Sequence, residues 1–345
     1  MIAVDRDPAA PGFHYADRRA ILSLDDEPAL ERLAEAEHVD GVIAPGIDWA
    51  VGAAARIAAR FGLPHPISPA AAVLSSSKLR QRERLAEAGV PQTRWKIVTE
   101  PDDELGFPCV VKPTDRQGRR GLALVRTRDQ LDDAVREALR ASRSGLCLVE
   151  ELARGPEVTV TGFSSAGVFR PLTVMDRLPL AHVWPSHGGK SAAAVAEQAA
   201  QALGIENGPS STQLRVGPEG PRVVELGARL GGGHDAELCE AALGVDLNGL
   251  ALSAALGEEI VPERLAVRPR VPGACIYFIS GEPGEPEGVD RAAASPGVEW
   301  VRLYSGSGRR GAVLATGPTR EQALEWAARA AEYVRFRTVH AEALA

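Results

Sequence analysis

Lysine is almost missing from this sequence. Only Lys78, Lys96, Lys112 and Lys190 stand among 39 basic residues, so arginine is the default cation. A compact ammonium differs from a planar guanidinium fork, and a lysine kept in such a background invites a specific use. Cysteine is scarce too. Cys109, Cys147, Cys239 and Cys275 are scattered without metal-ligand spacing, which predicts reduced thiols in a cytoplasmic protein. No apolar window is long enough to span a bilayer and the start does not resemble a signal peptide, so no membrane partner is expected. A basic surplus is also lacking: the net charge of −7 argues against a nucleic-acid partner. What is present, 25% charged and 45% hydrophobic residues, is ordinary for a globular protein. A chain of 345 residues is large for one core and predicts two or three linked lobes.

The first lobe reads as alternating strands and helices. Residues 2–4 form a strand ending in Asp5, residues 21–24 a second apolar run, and residues 28–37 an amphipathic helix. Residues 42–46 read as strand plus turn and residues 49–61 as a helix. This alternation predicts an open parallel sheet with helices on its faces. Such a lobe usually opens with a strand and a Gly-rich turn before the strand that ends in an acidic residue. Here Met1 sits at the second strand, so the first strand is expected to be missing and a strand edge to be uncovered near residues 2–4.

From Ser68 the character shifts. Ser75-Ser76-Ser77 is an N-cap signal for a helix over 79–88, closed by Gly89 and Pro91. Lys78 in the first turn opposes the helix dipole, which favours a functional use over a dipolar one. Lys112 ends the apolar run Pro108-Cys109-Val110-Val111, so its stem is expected to be buried and its ammonium aimed at a partner. The loop Thr114-Asp115-Arg116-Gln117-Gly118-Arg119-Arg120-Gly121 has a composition suited to closing over phosphates. A strand over 122–125, a helix over 128–143 and a strand over 146–149 complete a small α+β lid. That last strand runs into Glu150, Glu151 and Leu152, where exposed backbone can read an adenine edge, and Glu157 beyond Gly155-Pro156 can hold ribose hydroxyls. Each of these acidic residues is equally well read as a solvated rim carboxylate.

The stretch from Thr212 to Gly233 organises the chain. Strands over 213–216 and 222–226 flank Gly217-Pro218-Glu219-Gly220-Pro221, a strong chain-reversal signal. A hairpin centred on Glu219 sets Gln213 opposite Glu225. Period two then puts Val223, Glu225, Gly227 and Arg229 on one face and Val224 and Leu226 on the other. An amide oxygen, a carboxylate and a guanidinium on one face suit a hard cation that bridges phosphate oxygens, and by themselves read equally as an ordinary solvated hairpin with a charged face. His182 and His187 stand in a Gly/Pro loop over 182–190 that suits a carboxylate-holding wall or reads as a surface loop, and Gly231-Gly232-Gly233 offers N–H groups to an anion at a helix start.

The ordered set of Lys78, Lys112, Gly loop, Glu150-Glu151-Leu152, Gly155-Pro156-Glu157 and Glu225-x-Gly227-x-Arg229 resembles the ATP-grasp superfamily. Through Gly227-Ala228-Arg229-Leu230-Gly231-Gly232 and its C-terminal layout it looks most like the carboxylate–amine ligases of the L-amino-acid-ligase type. The resemblance implies an α/β and α+β fold: a pre-ATP-grasp lobe over 1–68, an ATP-grasp domain over 69–268 with a lid at about 95–152, and a C-terminal α+β lobe over 269–345. It implies that Lys78 and Lys112 contact the phosphates of ATP, that backbone at Glu150, Glu151 and Leu152 holds adenine, and that Glu157 holds ribose. It implies that Gln213 and Glu225 bind Mg2+ and that Arg229 stabilises an acyl phosphate. Two departures stand out. The first metal position is normally Glu and is Gln213 here; Gly227 stands where many relatives carry Asn. Together they remove one charge and one ligand, leaving magnesium to Glu225 and the nucleotide phosphates.

The implied reaction joins a small-molecule acid to an amine, with ADP and phosphate as products and a homodimer as the expected assembly. Two other readings stay open. One is a bicarbonate-activating carboxylase, although Gly233 stands where those enzymes carry a carboxylate; the other is a catalytically degenerate nucleotide-binding protein.

Overall fold

The computed structural model describes residues 1–116, 120–304 and 308–337. Gln117, Gly118 and Arg119, at the centre of the expected phosphate loop, lie outside the described residues.

The N-terminal region holds β1 (Ile2–Asp5) and β2 (Arg18–Ile21), followed by α1 (Glu27–Ala36) and α2 (Asp48–Phe61). The two strands pair in parallel, with Ile2 opposite Arg18, and β1 is half-buried. Residues 42–46, expected as a strand, have no ladder partner and take irregular backbone. Val42 instead packs beside Leu30, Ala34 and Ile57, so its apolar run is explained by helix packing. Asp26 caps α1 by accepting from the Ala29 N–H, which satisfies one of the orphan donors of the first turn. The alanine-rich α2 ends at Gly62, whose φ of 66° is the left-handed conformation that a Cβ disfavours. Ser68 and Ser77 cap α3 (Pro69–Ser76) and α4 (Lys78–Glu87) in the same manner.

The lid is a separate antiparallel sheet of β3 (Trp95–Val98), β4 (Cys109–Pro113), β5 (Ala123–Val125) and β6 (Cys147–Glu151), covered by α5 (Arg128–Ala141). Leu131, Val135 and Ala138, spaced by three and four along α5, close over Val111, Val125 and Val149.

The remaining elements run from β7 (Glu157–Ser165), β8 (Val168–Arg177) and β9 (Ala181–Trp184) through α6 (Gly189–Ala202) to β10 (Gly208–Gly217) and β11 (Gly220–Gly227). Then come α7 (Asp235–Leu243), α8 (Leu247–Ala255), β12 (Gly273–Ser280), β13 (Glu285–Glu287) and α9 (Val289–Ala293). The described chain closes with β14 (Val298–Leu303), β15 (Arg309–Gly317), α10 (Arg320–Tyr333) and β16 (Arg335–Arg337). Among the described residues, eight strands form one sheet in the order β11-β10-β7-β8-β9-β12-β15-β14, so strands on both sides of residue 269 share it. Under the hairpin, Leu214, Val223 and Leu226 pack with Ala192, Ala196 and Ala199 of α6. A second core joins Phe163, Met175, Leu238, Leu250 and Phe278. All four cysteines are free and buried. No single helix among the described residues is long and apolar enough to cross a membrane.

The hairpin departs from strict alternation at one point. Gln213 pairs with Glu225 and Leu214 with Val223, so Val224 is an extra residue in a bulge. Val223 therefore turns into the core with Leu226, contrary to the expected face, while Val224 and Glu225 both line the cavity described next. The loop is also tighter than expected: the strands extend to Gly217 and Gly220 and leave two residues between them.

Candidate active site

A cavity of about 740 Å³ lies between the lid sheet and the hairpin. Ten of the expected residues line it: Lys78, Lys112, Glu150, Glu151, Leu152, Glu157, Gln213, Glu225, Arg229 and Gly232.

Lys112 reaches the cavity because β4 alternates. Val111 turns into the lid core and Lys112 turns the opposite way, only 5% exposed. Its Nζ lies 2.6 Å from Oε2 of Glu150, and the Nε of Arg82 lies 2.5 Å from Oε1 of the same carboxylate. Burial pushes the Glu150 carboxyl up, but Arg82 and Lys112 outweigh it and hold the group below the ordinary range. Burial pulls Lys112 down, and Glu150 offsets only part of that.

Arg82 had no expected role; within a charged helix run it reads as solvated. In the fold it is 2% exposed and donates to the carbonyls of Val223 (2.9 Å) and Val224 (2.7 Å), the two residues at the bulge. Beside it the Gln81 amide donates to the Leu226 carbonyl and accepts from its N–H, each at 2.8 Å. Helix α4 thus completes the hydrogen bonding of β11, the edge strand of the large sheet.

Lys78 is the first residue of α4. Its Nζ lies 3.2 Å from Oε1 of Glu225 and donates to the Arg116 carbonyl at 2.7 Å, which ties the lid loop to the hairpin. Glu225 is half-buried; burial pushes its carboxyl up, and Lys78, Lys112 and Arg229 together hold it below the ordinary range. Gln213 stands directly across the ladder from it. Among the described residues no group of three His, Cys, Asp or Glu side chains is placed to hold a metal. One carboxylate and one amide oxygen still fit magnesium, a hard cation that keeps most of its coordination in water and phosphate oxygens.

The rim carboxylates are paired. Glu157 lies 2.9 Å from Arg215 and 3.4 Å from Arg177, and Glu151 pairs with Arg94 (2.8 Å) and with Arg222. Two backbone donors at the expected adenine edge are engaged within the chain: the Glu151 N–H donates to the Arg94 carbonyl and the Leu152 N–H to the Pro108 carbonyl.

Arg229 is held by Asp48, which no local pattern singles out, since an acidic residue in a first helical turn is fully accounted for by the dipole. Nε of Arg229 lies 2.6 Å from Oδ1 of Asp48, and Nη2 donates to Oδ2 at 2.9 Å.

His182 and His187 stay outside this cavity. His182 belongs to strand β9, where it pairs with Ile276, so the Gly/Pro loop begins only after Trp184. Its ring is 1% exposed, with Nδ1 2.8 Å from Oδ1 of Asp235. His187 is exposed at the surface. Gly232 and Gly233 do line the cavity, just ahead of α7.

Comparisons with known proteins agree with this architecture. The model of the D-ala D-ala ligase C-terminus matches residues 80–174. The uncharacterized protein y4rH of Sinorhizobium fredii (strain NBRC 101917 / NGR234) is 29% identical over 363 residues, covering 93% of this chain and 74% of that protein. Formate-dependent phosphoribosylglycinamide formyltransferase of Burkholderia pseudomallei (strain 668) is 32% identical over 164 residues, 45% of this chain; the match spans 40% of that enzyme's length. Among solved structures, L-amino acid ligase from Bacillus licheniformis superposes with a TM-score of 0.82 at 21% identity, covering 94% of this chain and 88% of that one. N5-carboxyaminoimidazole ribonucleotide synthetase from Thermotoga maritima gives 0.79 at 19% identity, covering 97% and 91%. The biotin carboxylase domain of the Hydrogenobacter thermophilus 2-oxoglutarate carboxylase, solved with MgADP and bicarbonate, gives 0.73 at 17%, covering 97% and 85%. The chain shares the fold of these solved structures, and residues 80–174 match the D-ala D-ala ligase C-terminus model.

Proposed function

We propose that the protein is an ATP-dependent carboxylate–amine ligase that forms an amide or peptide bond. One observation carries the reading. Lys78 and Lys112, brought from a helix start and a lid strand, converge with Gln213, Glu225 and Arg229 on one cavity large enough for a nucleotide. An oxygen of the substrate carboxylate attacks the γ-phosphorus of ATP, the bond to the β–γ bridging oxygen breaks, and ADP leaves. The amine nitrogen then attacks the acyl carbon, the C–O bond to phosphate breaks, and the amine proton is lost. Lys78 and Lys112 neutralise phosphate charge, and Arg229 faces the oxygens on which charge develops. Magnesium, held by Glu225 and Gln213, would supply further charge neutralisation when bound. The lid excludes water that would hydrolyse the acyl phosphate. The partners are a small acid and a small amine, and the four free, buried thiols support a reducing cytoplasmic setting.

The test is a screen of acid and amine pairs for products. ADP and phosphate, formed only with both substrates present, are expected. AMP and pyrophosphate would mean adenylation and defeat the reading. ATP binding without turnover on any pair would favour a nucleotide-binding protein without catalysis, a reading to which Gln213 and Gly227 lend slight support.

A further inference from the structure

We infer that Asp48 is the positioning residue for Arg229, and that Gly227 is glycine because Asp48 occupies the space its side chain would fill. The inference rests on the ligase reading for its consequence in turnover and on geometry alone for the contact itself.

Three observations on different elements converge. Asp48 is the first residue of α2 in the N-terminal region, and the side-chain hydrogen bond its carboxylate makes among the described residues runs to Arg229. It is 6% exposed and meets Arg229 with both oxygens. Oδ1 of Asp48 and Nε of Arg229 lie 2.6 Å apart as an ion pair, and neither atom has a hydrogen-bond partner among the described residues. A buried ion pair holds only with good geometry and hydrogen bonding, which the Nη2–Oδ2 bond supplies here. Second, Arg229 also donates Nη1 to the Leu230 carbonyl at 2.7 Å, so its guanidinium is gripped from two sides.

Third, a Cβ built on Gly227 would lie 2.7 Å from Oδ1 of Asp48 and 3.3 Å from Cζ of Arg229. The backbone of Gly227 is not in the left-handed region, so conformation does not demand glycine there. Close approach does. The residue that departs from the expected Asn is therefore the one that admits a carboxylate from another region of the chain. Gly227, Asp48 and Arg229 all line the same cavity, so the contact fixes a guanidinium at the site and lies on its wall.

The experiment labels the arginines with 15N and follows the Nε–H resonance that disappears in Arg229→Lys. In the wild type this proton should be shifted and protected by the carboxylate. Asp48→Asn and Gly227→Ala should each move the resonance and speed its solvent exchange at least roughly tenfold. Turnover in each variant should fall by roughly 10²-fold, with the Kd for ATP within about twofold, as expected when a reacting group is misplaced rather than lost from nucleotide binding. The double variant should be no worse than either single one, because both break the same contact. An unchanged Arg229 resonance in both variants, or fully additive losses, would overturn the inference. A resonance that responds in a protein with no turnover on any acid–amine pair upholds the clamp and defeats only the ligase reading.

Discussion

Two glutamates face the cavity from opposite walls, and they are built for different tasks. On the lid wall, Glu150 has a side chain 5% exposed, and each oxygen touches a cation, Arg82 on one side and Lys112 on the other. On the hairpin wall, Glu225 has a side chain 32% exposed and a single cation at 3.2 Å. The first carboxylate has no capacity left and holds a lysine and a helix in place. The second keeps open valence toward the cavity, as a group that receives a metal must. Acidic character at a site does not identify a ligand; the proposed metal role of Glu225 rests on its unspent hydrogen-bonding capacity.

Substitution can break that contrast. Glu225→Gln should lower ADP formation by roughly 10²–10³-fold, the size of effect expected for one preorganised electrostatic contact, and leave thermal stability nearly unchanged. Glu150→Gln should act the other way round. Removing the carboxylate leaves Arg82 and Lys112 as uncompensated buried cations, and denaturant titration should show a loss of roughly 3–5 kcal/mol. The same variant carries a pH signature. Glu150 is held below its ordinary value of 4.5, so its contribution is fully present above that pH and is lost as pH falls through the depressed folded value. Glu150→Gln should therefore flatten the acid limb of the stability curve. Equal stability losses in the two variants would erase the distinction.

The smallest expected effect sharpens the hairpin side. Gln213→Glu sets a second carboxylate across from Glu225, and the magnesium concentration for half-maximal ADP formation, or for ATP binding, should fall roughly tenfold, equivalent to about 1.4 kcal/mol. Identical magnesium curves in wild type, Gln213→Glu and Glu225→Gln would show that this pair does not hold the metal.

Local signals carried far in this chain. Gly217-Pro218-Glu219-Gly220 between apolar runs set the hairpin and its Gln213–Glu225 register, and the scarcity of lysine singled out Lys78 and Lys112, which both reach the cavity. The apolar run at 108–111 located β4, and its alternation aimed Lys112 away from the lid core. Where local pattern misled, a long-range contact had intervened. The bulge at Val224 reverses Val223, and Arg82, 141 and 142 positions earlier, takes the carbonyls of Val223 and Val224. His182 looked like a loop residue because Gly and Pro follow it closely, yet its backbone pairs with β12.

The sequence by itself therefore determined most of the elements, the hairpin register and ten of the residues around the cavity, since these follow from periodicity, turn chemistry and residue type within a short span. Tertiary structure alone decided which charges are spent and which are free. It paired Glu150 with Arg82 and Lys112, left Glu225 half-open, and brought Asp48 to Arg229 across 181 positions of chain. The reason is physical: an ion pair needs only a few ångströms in space, and no pattern along the chain encodes that closeness.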